Sequence, residues 1–91
     1  MAIQRRQVTF HGRVHGVGFR YTARRVAGGY DVAGSVRNMP DGSVQCVVEG
    51  EAAQIDMFIA ELAQRMGPYI ERTTQTTAPA TGQYRTFDVE F

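Results

Sequence analysis

The sequence predicts an α+β chain in which two helices cover one face of an antiparallel sheet of four or five strands. Three observations predict it. Apolar residues alternate with period two in four separate stretches, they recur at helical spacing in two others, and the order of the stretches is strand, helix, strand, strand, helix, strand. At 91 residues, with no internal repeat or linker, residues 1–91 are expected to form one domain with a single two-layer core.

The first strand is expected over Arg6 to Val14. Its even positions Val8, Phe10 and Val14 are apolar, and its odd ones Gln7, Thr9, His11 and Arg13 are polar. From Phe19 the period changes. Phe19, Ala23, Val26, Ala27 and Tyr30 make one helical stripe, and Arg24 and Arg25 point away from it. Gly28, Gly29 and Asp31 are expected to end this helix through a left-handed turn. Val32 to Asn38 alternates again and puts Asn38 on the inward parity at the far end of its strand. The turn signal Met39-Pro40-Asp41-Gly42 leads into a hairpin partner, Ser43 to Glu49, with Val44, Cys46 and Val48 inward and Gly50 closing it.

Glu51 to Met66 carries the clearest helical stripe of the chain, Ile55, Phe58, Ile59, Leu62 and Met66. Acidic Glu49, Glu51 and Asp56 near its start and Arg65 near its end suit the helix dipole, and Gly67-Pro68 stops it. Tyr69 to Thr77 reads as a short edge strand, Pro79 to Gln83 as a loop, and Thr86 to Phe91 as a last amphipathic strand with Phe87, Val89 and Phe91 on one side. Right-handed crossovers then draw the first strand into the middle of the sheet, which is the ferredoxin-like two-layer sandwich.

Composition narrows the chemistry. The net charge is +1, so bulk affinity for nucleic acid is not expected. Every basic residue is Arg, which excludes a Schiff-base or P-loop lysine. The single Cys46 has no disulfide partner and falls on an inward strand position, as a small core residue would. No apolar run approaches membrane-spanning length, and a soluble cytoplasmic protein is expected.

Between the first strand and the first helix lies Gly12-Arg13-Val14-His15-Gly16-Val17-Gly18-Phe19-Arg20. Three glycines in seven residues let successive backbone N–H groups turn toward one point, and the helix that follows adds unpaired donors and the positive end of its dipole. Arg20 then offers a planar fork of donors matched to phosphate oxygens. In the proposed topology Asn38 approaches this anion cradle from the end of the second strand. An inward Asn at a strand end is otherwise a structural hydrogen-bonder.

These stretches resemble the acylphosphatase family. The segment from Gly12 to Arg20 is similar to that family's first signature, and Gly34-Ser35-Val36-Arg37-Asn38, followed by Asp41-Gly42-Ser43-Val44 and Val48-Glu49-Gly50, to its second. Gly67-Pro68 and the strand Phe87 to Phe91 fall where the family pattern has them, so the resemblance covers essentially the whole chain. It implies hydrolysis of small acyl phosphates to carboxylate and orthophosphate by a cytoplasmic monomer that uses neither metal nor cofactor and binds neither nucleic acid nor membrane. It also implies that Arg20 and Asn38 are catalytic, Arg20 holding the phosphoryl group and Asn38 the attacking water, with His15, Gly16, Val17, Gly18, Phe19 and Arg20 forming the phosphate-binding loop.

The residue inventory suits that chemistry independently. A carboxylate leaving group departs without a general acid, so positioning and charge stabilisation remain as the protein's task. His15 stands where the family commonly has glutamine and Ser35 where a large side chain is common, and Asp31 replaces a common glycine. His15 is expected either to lend a donor at the cradle's rim, to give the activity a pH dependence, or to be a solvated loop histidine. A metal shared by His11 and His15 is disfavoured, because four residues along a strand span about 13 Å. An RNA-recognition module would need outward aromatics where this chain has Thr9, His11, Gln45, Val47 and Glu49. The nearer rival is a non-catalytic or transfer-type domain that binds carbamoyl phosphate or another phosphate ligand, as in the much longer hydrogenase-maturation carbamoyltransferases. The start of the chain and its closing strand favour the stand-alone enzyme.

Overall fold

The computed structural model describes residues 2–91. The chain runs β1 (Ile3–Gly12), α1 (Phe19–Ala27), β2 (Val32–Asn38), β3 (Val44–Glu51), α2 (Ala52–Met66), a 3₁₀ turn (Gly67–Tyr69), β4 (Ile70–Pro79) and β5 (Phe87–Glu90). The strands form one five-stranded sheet in the order β4-β1-β3-β2-β5, and α1 and α2 pack on one face of it.

The inward parity is the one the alternation predicts. Val8 and Val36 both stand opposite Cys46, Phe10 and Asn38 both stand opposite Val44, and all of these except the half-buried Asn38 are inaccessible to solvent. Phe19, Ala23 and Val26 of α1 and Ile55, Phe58 and Leu62 of α2 close the core over them. Full burial of one such aliphatic or aromatic side chain is worth about 1.5–3 kcal/mol, and this layer holds the two helices at fixed positions on the sheet. Arg6 is the polar exception on the inward parity. Its guanidinium is paired with Asp56 of α2 and bonded to Gln4.

The sheet is mixed, not antiparallel. β4 occupies the free edge of β1, so the chain must cross to the opposite edge before β5, and it enters there parallel to β2, with Gly34 beside Phe87 and Val36 beside Val89. β1 is therefore interior and β3 is the central strand. β4 is not short. It pairs with β1 along nearly its full length despite its threonines, because hydrogen bonding to β1 supplies what side-chain burial does not. β1 begins at Ile3 and ends at Gly12, ahead of Val14, and β3 continues through Gly50 to Glu51.

Two terminations differ from expectation. Helix α1 ends with Gly28 in right-handed geometry and with Gly29 and Tyr30 amides bonded three residues back, a tightening 3₁₀ turn that needs no left-handed residue. The first turn of α2 contains no acidic residue. Glu49 lies two strand positions earlier on the opposite face of the sheet, Glu51 is the cap residue without a capping bond, and Asp56 serves Arg6. Gly67-Pro68 converts α2 into the 3₁₀ turn.

Candidate active site

The cradle forms where β1 leaves the sheet. Gly12 has φ +138, and a Cβ there would sit 2.3 Å from the Tyr69 carbonyl oxygen. Only glycine permits that approach, and the next amide, Arg13, donates to the same oxygen at 3.0 Å. Val14 is buried and Val17 packs on the core, so the two valines pin the loop while the residues around them stay exposed. Gly16 and Gly18 adopt left-handed φ of +74 and +78, and both face open space. Gly18 caps α1, its carbonyl accepting from Thr22 N at 3.0 Å. Among the described residues, the amides of Gly16, Val17, Gly18, Phe19 and Arg20 donate to no protein acceptor, so a row of donors and a helix N-terminus share one opening.

That opening is a cavity of about 110 Å³ whose lining includes Gly16, Gly18, Arg20 and Asn38. Organic ligand sites generally exceed about 300 Å³, so this one has the scale of a small anion. A larger open depression of about 730 Å³ lies against α2, but its charged groups and Tyr30 are bonded to one another. There Glu61 accepts from both Tyr30 and Arg65.

Each residue singled out in the sequence has a definite place. Phe19 is buried with its ring centroid 5.0 Å from that of Phe10, which anchors the first turn of α1 and fixes where Arg20 emerges. Arg20 is half-buried, its guanidinium carbon 4.8 Å from the ring centroid of Phe91 and one of its nitrogens donating to the Glu90 carbonyl at 3.4 Å. Asn38 is half-buried at the end of β2, its backbone in register with Val44. Its side chain takes part in none of the hydrogen bonds of the adjacent turn. His15 Nε2 donates to the Ser43 carbonyl at 2.8 Å. Asp41 accepts from both the hydroxyl and the amide of Ser43, and those two bonds, the hydroxyl's first, hold its carboxyl below the usual aspartate range. Burial pushes the Cys46 thiol far up, and it lies within the core.

Tyr21, also in the lining, and the pair Glu90 and Phe91 beside Arg20 escaped the sequence reading. Tyr21 falls off the apolar stripe of α1 and looks like any exposed helix residue. Glu90 is 70 positions from Arg20, and no local pattern connects them.

The sequence model for acylphosphatases matches residues 6–89. The chain belongs to the acylphosphatase family. An acylphosphatase of Thermococcus kodakarensis is 41% identical over 71 residues, which cover 78% of this chain and 76% of that protein. The crystal structure of the Bacillus subtilis acylphosphatase superposes with a TM-score of 0.83 at 26% identity, covering 98% of this chain and 99% of the other. The structure of T. kodakarensis HypF matches with a TM-score of 0.83 at 30% identity, covering 97% of this chain but 12% of that one, so the same fold also occurs as a small part of a much longer protein. No helix among the described residues of this acylphosphatase-family chain is long and apolar enough to cross a membrane.

Proposed function

We propose that this chain hydrolyses the carboxyl-phosphate bond of small acyl phosphates, with Arg20 and the loop amides holding the phosphoryl group and Asn38 holding the nucleophilic water. The observation that carries the proposal is the small cavity in which Arg20, the two left-handed glycines and Asn38 converge. In the reaction the water oxygen forms a bond to phosphorus as the bond from phosphorus to the acyl oxygen breaks, and the carboxylate leaves with that electron pair. A phosphate oxygen takes the water's proton, so no side-chain acid or base is needed. Charge spreads over the equatorial oxygens in the transition state, and that is where a guanidinium and aligned amides stabilise it.

Family membership supports the reaction. The freedom of the Asn38 amide from bonds to the adjacent turn supports its assignment to water, since a structural asparagine would be tied there. We take residues 1–91 as one domain, a cytoplasmic monomer whose ligands are an acyl phosphate and orthophosphate, with no part for nucleic acid.

Phosphate release from benzoyl phosphate tests this, with a phosphomonoester as control and EDTA present throughout. Release from benzoyl phosphate alone is expected, because an alkoxide leaving group would need an acid the site does not offer. Equal release from both substrates, or activity lost to EDTA and restored by a metal, would overturn the mechanism. Binding of phosphate without turnover would favour the rival reading of a non-catalytic or transfer-type domain, for which the small share of HypF that this fold occupies is the supporting observation.

A further inference from the structure

We infer that His15 is a positioning residue, a brace that fixes the anion cradle against the β2–β3 turn and so sets the gap across which Asn38 faces Arg20. The inference rests on the active-site reading above and assigns to this residue a role other than gripping phosphate.

The turn it touches is a closed unit. Met39 N donates to the Ser43 carbonyl at 2.8 Å, Gly42 N donates to the Met39 carbonyl at 3.0 Å, and Asp41 Oδ1 accepts from both the amide and the hydroxyl of Ser43. Ser43 is buried, and the unit hangs directly from Asn38, the last residue of β2. Side-chain bonds within the turn therefore leave it little freedom, and wherever it sits Asn38 sits too. On the other side, Val14 and Val17 seat the cradle in the core from below but do not reach the turn by any hydrogen bond. His15 does. Its Nε2 meets the Ser43 carbonyl at 2.8 Å, and among the described residues it is the one cradle side chain hydrogen-bonded to that unit.

The chemistry of the contact decides what His15 has left to offer. A carbonyl only accepts, so Nε2 carries the hydrogen, and in the neutral ring Nδ1 is then a bare acceptor. A phosphate oxygen is also an acceptor and gains nothing from it. The neutral imidazole has one donor, and that donor is committed to Ser43. An amide side chain at position 15 has two N–H donors on one nitrogen and can make the same bond, so glutamine is the conservative variant.

The test compares His15→Ala and His15→Gln with the unmodified chain, measuring kcat and KM for benzoyl phosphate, inhibition by orthophosphate, and the nitrogen-15 NMR signals of the Asn38 side-chain amide and the Met39 backbone amide. Exposure of His15 makes both variants compatible with folding, and a thermal melt checks it. For His15→Ala, kcat is expected to fall roughly five- to tenfold, the scale of one neutral hydrogen bond, with phosphate inhibition within about twofold of normal. The Asn38 and Met39 signals should move, and His15→Gln should restore both the signals and most of kcat. Unchanged kcat in His15→Ala, or a loss confined to phosphate affinity, overturns the brace. If the unmodified chain releases no phosphate from benzoyl phosphate, the functional reading fails, and the NMR signals still decide the brace, unmoved signals refuting it.

Discussion

Two irregular segments of this protein present backbone amides in a row, and they end differently. In the loop between β4 and β5, the amides of Thr81 and Gly82 and the hydroxyl of Thr81 all donate to the carboxylate of Glu49, at 2.8, 3.0 and 2.9 Å. In the loop between β1 and α1, the amides from Gly16 to Arg20 donate to no protein acceptor among the described residues. The first loop carries its own anion, supplied by the neighbouring strand, and is closed. The second is open, with left-handed glycines and a helix N-terminus aimed at one cavity. Backbone donors gathered by a fold require an acceptor, and whether that acceptor is internal or external separates a structural loop from a binding one.

Breaking the open loop should have the largest effect. Arg20→Ala removes the guanidinium that lines the cavity, and a loss of about 10³-fold or more in kcat/KM is expected, on the scale of an arginine that stabilises phosphoryl-transfer charge. The same variant should lose the thermal stabilisation by orthophosphate, which in the unmodified chain is expected to reach about 2.7 kcal/mol at a hundred times Kd. If phosphate protects Arg20→Ala as well as it protects the parent, the ion binds elsewhere.

Asn38→Ala sharpens the comparison within the open loop. In the proposed mechanism Asn38 holds the water chiefly in the transition state, so kcat should drop by roughly 10²- to 10³-fold while phosphate protection persists. A well-folded variant with near-normal turnover would make Asn38 a structural residue after all.

The closed loop gives the smallest effect, on stability and not on chemistry. Burial of Glu49 raises its carboxyl pKa, but the hydrogen bonds from Thr81 and Gly82, with Arg5 nearby, outweigh that and hold it below the usual glutamate range. A carboxyl lowered in the folded state contributes stability that is fully present above its unfolded pKa and is lost as pH falls through the folded one. Chemical denaturation of the parent should therefore show stability fading on acidification below the ordinary glutamate range. Glu49→Gln should cost about 1–2 kcal/mol near neutral pH and flatten that limb, with acyl phosphate turnover unaltered. A parent and variant with identical acid limbs would show that Glu49 is not the anion that closes the loop.

The sequence by itself determined the inward parity of β1, β2 and β3, the stripe of α2, that of α1 as far as Ala27, where the helix ends short of Tyr30, and the glycine turns between β1 and α1. Each of these is a local repeat or a local requirement. Period two and period 3.6 are read over a few residues, and Gly12, Gly16 and Gly18 answer steric demands of their own backbone. The family signature added Arg20 and Asn38 by residue identity. What lay beyond it depends on contacts between distant segments. That β5 runs parallel beside β2 was decided by β4 taking the edge of β1. That Glu49 turns its carboxylate to Thr81, instead of serving the start of α2, was decided by a loop 32 residues away folding over the outer face of the sheet. That His15 reaches Ser43 and Arg20 reaches Glu90 was decided by the core, which sets the height of α1 on the sheet and with it the distance from the cradle to every neighbour. Hydrogen bonds between segments follow from where packing leaves their donors and acceptors, and no pattern along the chain encodes that.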